Sequence, residues 1–197
     1  MRTLQPQAAS VDLLDRSGEV LEAFSRVHDA GVFVADLPPR LRHYRLRISL
    51  PDGRQYDTED PYRFGSTLGD LDLYLLGEGS HQRIYSTLGA HCMELAGVAG
   101  TRFAVWAPNA SRVSVSGDFN DWDGRRHVMR LHPAKGIWEI FMPDVGPDDR
   151  YKFELLAADG KLLPLKSDPL AQAYEAPPGN ASIVYRRKYR WQDNEWM

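Results

Sequence analysis

Apolar residues in this chain alternate with polar ones in short runs, and each run stops at Gly, Pro or Asp-Gly. Phe103 and Val105 alternate in TRFAVWAP, Val113 and Val115 in RVSVSG, and Trp138, Ile140 and Met142 in IWEIFMP. Tyr151, Phe153 and Leu155 share one face of YKFELL. A period of two sends successive side chains to opposite faces, so these segments predict half-buried strands. Asp52-Gly53 and Asp159-Gly160 lie between apolar runs and predict hairpin turns, because Gly accepts positive φ without steric cost. The helical period is convincing once. Leu68, Leu71 and Leu75 predict a helix from about Thr67 to Leu76, with Ser66 or Thr67 capping its start and Gly77 ending it.

The two β regions on either side of that helix resemble each other. YRLRISLPDGR, from Tyr44 and closing on Asp60-Pro61, parallels YKFELLAADGK, from Tyr151 and closing on Asp168-Pro169. Gly31-Val32-Phe33 and Leu37-Pro38 parallel Gly136-Ile137-Trp138 and Met142-Pro143. LQPQAASV (Leu4 to Val11) lines up with WAPNASRV (Trp106 to Val113). Unrelated sandwich segments also share such punctuation by chance, but several matches in one order favour a tandem of two related β-sandwiches. The first copy begins almost on its first strand and reads as clipped at its N-terminus.

With 197 residues, of which 43% are hydrophobic and 26% charged, a packed core is feasible and a large barrel enzyme does not fit. The 24 basic and 27 acidic side chains leave a net charge of −3, a poor field for phosphate. The basic run Arg186, Arg187, Lys188 and Arg190, interleaved with Tyr185, Tyr189 and Trp191, therefore reads as a solvated exit strand or a contact with a following domain. The start, MRTLQPQAAS, lacks the pattern of a secretory signal, and no window approaches the roughly 18 apolar residues of a membrane span. A single cysteine, Cys92, fits a reducing compartment and a cytoplasmic location. Neither nucleic acid nor membrane is an expected partner.

The six histidines form no H-E-x-x-H pair, and no G-x-S-x-G or phosphate loop occurs. Asp118, Asp121 and Asp123 cluster in GDFNDWDG, but such a cluster in one turn suits Asx-turn chemistry better than a catalytic pair. It also fails as a calcium loop, because Trp122 stands where an oxygen ligand is required. No metal, cofactor or catalytic residue is expected. Trp122 amid Asn and Asp is suited to sugar: an indole stacks on the C–H face of a glucose ring while polar neighbours take hydroxyls. Lys152, beside Glu154 and opposite Tyr151 and Phe153, can donate to such hydroxyls. The residues alone leave open whether Trp122 meets sugar or packs on its own turn or a neighbouring domain.

These motifs resemble the N-terminal, non-catalytic part of bacterial 1,4-α-glucan (glycogen) branching enzymes of the α-amylase superfamily, glycoside hydrolase family 13. The resemblance rests on DPYRFG (Asp60 to Gly65), LGDLDLYLLGEGSH (Leu68 to His81), YSTLGAH (Tyr85 to His91), GVAGTRFAVWAPNA (Gly97 to Ala110), VSVSGDFNDWDGRRH (Val113 to His127) and LPLKSDP (Leu163 to Pro169). FAVWAP and FNDW also occur in debranching enzymes, trehalohydrolases and glycogen-binding subunits, whereas the motifs from Asp60 to His91 point to branching enzymes. The resemblance implies a mainly β chain with two tandem immunoglobulin-like sandwiches: residues 1–62, a helical linker at 63–84, and a glycogen-binding sandwich of the module 48 class at 85–190. Residues 191–197 would begin the link to a catalytic (β/α)₈ barrel, whose aspartate and glutamate map onto nothing here. The implied partners are that barrel and, weakly, α-glucan or glycogen. Trp122 and Lys152 match the family's sugar contacts. Leu162 stands where a second stacking tryptophan is usual, and the place of a late asparagine falls near Ala181, with Asn180 adjacent. A stand-alone glycogen-binding module and a debranching or trehalose-forming relative are the alternatives. Sandwiches made to pack on a barrel are expected to expose an apolar patch on the order of several hundred Å².

Overall fold

The computed structural model describes residues 1–37, 41 and 43–186; Pro38 and the basic run beyond Arg186, with the expected link at 191–197, lie outside them. Strands β1 (Arg2–Leu4), β2 (Ser10–Leu14), β3 (Val20–Ala23), β4 (Ser25–His28), β5 (Val32–Val34), β6 (Arg45–Ser49) and β7 (Gln55–Glu59) come first. A 3₁₀ turn at Pro61–Arg63, the helix α1 (Asp70–Glu78) and a second 3₁₀ turn at Ile84–Ser86 follow. Then come β8 (Gly89–Leu95), β9 (Val98–Trp106), β10 (Ala110–Gly117), β11 (Arg130–His132), β12 (Ile137–Pro143), β13 (Arg150–Ala157), β14 (Ala173–Tyr174) and β15 (Ser182–Ile183).

All pairings are antiparallel. In the first sandwich, sheet β1-β5-β4 faces sheet β3-β2-β6-β7. Val11, Leu13, Leu46 and Ile48 from one face and Phe33 from the other close its core. In the second, β11-β12-β9-β8 faces β10-β13-β15-β14, and Phe103, Val105, Trp138 and Ile140 meet Val113, Val115, Tyr151 and Phe153. The alternation read from the sequence is thus the inward face of each strand. Phe103 and Tyr151 pack edge-on at 4.8 Å, and Tyr151 and Phe153 at 5.8 Å, geometries worth about 0.5–1.5 kcal/mol each beyond burial.

The internal likeness survives at the level of single hydrogen bonds. Gln5 N–H donates to Gly31 O at 2.8 Å, and Ala107 N–H to Gly136 O at 2.9 Å. Gly31 (φ 87°) lies against Pro6, and Gly136 (φ 64°) against Pro108, each so closely that a Cβ would strike the proline. Phe24 N–H donates to Val11 O, and Met129 N–H to Val113 O. Tyr44 donates its hydroxyl to Asp60 at 2.6 Å, and Tyr151 to Asp168 at 2.7 Å. In both cases the other carboxylate oxygen caps the turn after it, accepting from Tyr62 N–H and Leu170 N–H.

The linker departs from the sequence expectation. Thr67 does not cap the helix; its N–H and hydroxyl both donate to the buried carboxylate of Glu139 on β12. The helix starts three residues later with Gly69 as cap, where Asp70 and Asp72 complement the positive end of the helix dipole. Gly77 is inside the helix and Gly79, at φ 70°, ends it. Leu71 is 69% exposed, whereas Leu73 and Leu76 lean onto Leu68, Leu88, Ala104 and Ile137. With Phe64 edge-on to Phe141 at 4.8 Å, the linker straps the outer face of the β9–β12 pair. Burial alone would raise the Glu139 carboxyl, but hydrogen bonds from Ser66, His132 and Thr67 outweigh it and hold the group below the usual carboxylate range.

Burial raises the pKa of Asp60 and Asp168 despite the tyrosine hydrogen bonds. Tyr151→Phe removes a donor from a buried carboxylate and should cost about 1–3 kcal/mol in urea unfolding. The cost should be largest at neutral pH, where Asp168 is charged, and shrink as acidification protonates it. An equal cost across that range would contradict the assigned role.

Candidate functional site

The sequence GDFNDWDG folds as a tight turn whose side chains divide between core and surface. Phe119 turns inward and packs against Phe103, with ring centroids 5.9 Å apart and planes tilted by 37°. Asn120, 1% exposed, accepts from Gly117 N–H at 2.9 Å and donates to Val115 O at 3.0 Å, tying the turn to β10. Asp121 and Trp122 then both adopt left-handed backbone, with φ of 55° and 59°. That conformation is rare for a bulky residue and costs on the order of 1–3 kcal/mol. Trp122 itself is half-buried and lies outside the core cluster of the sandwich. Its Nε1–H donates to Asp118 at 3.1 Å, which fixes the ring orientation.

Asp118 in turn takes Arg150 in a bidentate pair at 2.8 and 3.0 Å, and Arg150 reaches Glu175 at 3.0 Å. The Arg150 guanidinium, in first place, holds the Asp118 carboxyl below its ordinary range. At the other end of the turn, Gly124 lies so close to Glu154 that a Cβ would meet its carboxyl group. Arg150, Lys152 and Glu154 point to one face of β13. The two ends of the turn thus meet Arg150 and Glu154, which flank Lys152 on that face. Lys152 Nζ donates to the side-chain oxygen of Asn180. Ala181, by contrast, is 3% exposed and uses its N–H on Glu175. Of the two neighbouring positions that motif spacing left open, Asn180 is the one whose side chain meets Lys152. Leu162 stands 55% exposed on the strand edge beside β13. The remaining acids of the motif are spent locally: Asp123 holds Arg125 and Asp121 faces Arg126 at 3.5 Å.

Comparison with known proteins agrees with both halves of this architecture. Residues 1–62 match the family described as alpha-1,4-glucan branching enzyme GlgB, N-terminal domain, and residues 87–171 match carbohydrate-binding module 48 (isoamylase N-terminal domain). The 1,4-alpha-glucan branching enzyme GlgB 2 of Rhizobium etli is 54% identical over 199 residues, covering 100% of this chain and 27% of that protein. This chain is an N-terminal region of the GlgB branching-enzyme family. The GlgB enzymes of Rhodospirillum rubrum and Rubrobacter xylanophilus are 52% and 54% identical, again over 100% of this chain and 27% of theirs. The chain thus spans about a quarter of the length of these GlgB relatives. Among solved structures, the pullulanase PulA of Klebsiella pneumoniae in its maltotriose complex superposes with a TM-score of 0.44 and 18% identity, over 94% of this chain and 23% of that one.

Behind the Trp122 turn, Asn120 Nδ2–H donates to His127 Nδ1 at 2.8 Å. Burial, then the charge of Arg126, push its pKa down to about 3. The folded value lies below the unfolded one, so acidification protonates the unfolded chain first. Stability should therefore fall from about pH 6.5 downward, with a slope of up to about 1.4 kcal/mol per pH unit for this group. His91, also lowered by burial, adds to the same limb. Urea unfolding followed against pH should show a shallower loss in His127→Gln than in wild type; parallel curves would refute the assignment.

Proposed function

We propose that this region is the glucan-contacting, non-catalytic part of a cytoplasmic branching enzyme, which cuts an α-1,4-glucan and reattaches the piece through an α-1,6 bond. In this reading the catalytic carboxylates belong to the length of the relatives that the chain does not span. Residues 1–62 serve as a supporting sandwich, 63–84 as a linker and 85–190 as the glucan-facing sandwich. The observation that supports glucan contact is the half-buried Trp122 ring, oriented by Asp118 in a turn whose ends meet the β13 face that carries Lys152, itself bonded to Asn180. An indole so fixed offers a flat apolar surface to a glucose ring, and the ammonium and amide groups match its hydroxyls.

With Leu162 in place of a second ring, the face has one platform, which suits weak, repeated contact with a polymer better than tight capture of one oligosaccharide. The exposed apolar residues Leu71 and Tyr74 on α1, Tyr85 after it and Trp106 at the end of β9 are the surface we assign to the catalytic barrel. Trp122→Ala should lose about tenfold or more in apparent affinity for glycogen, read as retardation in glycogen-containing native gels. Lys152→Ala should lose less. Equal mobility of wild type and Trp122→Ala with and without glycogen would overturn the glucan-binding reading.

A further inference from the structure

A groove of about 350 Å³ runs along the seam between the two sandwiches, and Asp121 of the Trp122 turn forms part of its wall. It continues into a smaller hollow of about 210 Å³ that shares Gln5, Tyr56, Asp121 and Arg126 with it. We infer that this groove is a second subsite for an α-1,4-glucan chain, contiguous with the Trp122 face; the inference rests on the glucan-binding reading of that face. Clefts of this size at domain junctions commonly hold small ligands.

The lining fits a neutral polyhydroxylated ligand. Tyr56 and Tyr62 stand 45% and 49% exposed at the groove and offer ring faces for C–H stacking. The same groove carries a polar set drawn from both sandwiches. Arg126 reaches Gln5 at 3.2 Å and Asp121 at 3.5 Å, and its Nε–H is buried without a partner among the described residues. Guanidinium, amide and carboxylate groups side by side supply both donors and acceptors, as hydroxyl groups require. An anionic ligand is disfavoured: Arg126 faces Asp121, Arg63 faces Glu59 at 2.6 Å, and Asp144 adds a further carboxylate to the wall. Asp121, the residue before Trp122, lines the groove and meets Arg126 there, so the Trp122 turn borders the seam.

Two linked subsites raise the affinity of a ligand long enough to fill both. Maltotriose and maltoheptaose titrated into the isotope-labelled full chain, followed by amide shifts in NMR, provide the test. Maltoheptaose should bind about fivefold or more tighter than maltotriose and shift amides at Gln5, Tyr56 and Tyr62 as well as at the Trp122 turn. Tyr56→Ala should bring the affinity ratio toward one while leaving the shifts at the turn. Tyr56→Phe, which keeps the ring, should retain the ratio. Shifts confined to the turn, or a ratio that survives Tyr56→Ala, would overturn the second subsite and leave the Trp122 face standing. No shift with either sugar would overturn both.

Discussion

A buried tyrosine hydroxyl donating to a buried carboxylate closes each sandwich, and most of the architecture follows from it. Tyr44 and Tyr151 begin equivalent central strands, while Asp60 and Asp168 sit where the chain leaves the hairpin that follows. One carboxylate oxygen takes the phenol and the other caps the next turn, so a single side chain fixes the end of the sheet and the direction of the exit. A proline follows each aspartate and allows only extended or turn geometry before it. At Asp60 this exit sends the linker across the second sandwich, and the groove between the two is the space left beside that crossing. Burial disfavours the ionised form of both carboxylates, and the tyrosine hydrogen bond offsets part of that penalty.

The repeat was legible because it consists of residues with strict geometric duties. Gly31 and Gly136 press on prolines, and Asp52-Gly53 and Asp159-Gly160 turn hairpins, so the same letters recur wherever the same backbone must form. The helix was only half legible. Leu68, Leu71 and Leu75 have the right spacing, but Glu139, far away in sequence, captures Thr67 and delays the helix start, which rotates Leu73 and Leu76 onto the sheet instead. Motif spacing left Ala181 and Asn180 as alternatives; in the fold Ala181 is buried with its N–H on Glu175, and Asn180 is the one whose side chain meets Lys152. The seam groove had no sequence signal, since Gln5 and Arg126 meet across 121 positions.

Comparison of the two copies isolates what was added to the common frame. Val11 and Val113 accept equivalent bonds, from Phe24 and Met129, so the segments between them diverge on a shared scaffold. In the first sandwich the connection after β2 is a short turn from Asp15 to Glu19, held by the Asp15 carboxylate. In the second it is the longer segment that carries Phe119, Asn120 and Trp122. The difference between the copies is thus concentrated in one longer turn on a shared sandwich frame.

The strap from Phe64 to Leu88 carries a consequence for how such a chain can be divided. The module that recurs among relatives starts at residue 87, yet the sheet behind it is finished by groups that precede that point. Cut there, Phe141 and Ile137 would face water and the Glu139 carboxylate would lose Thr67. The piece that evolution moves and the piece that can stand alone in solution therefore have different boundaries, and the linker belongs to the second sandwich as one of its walls.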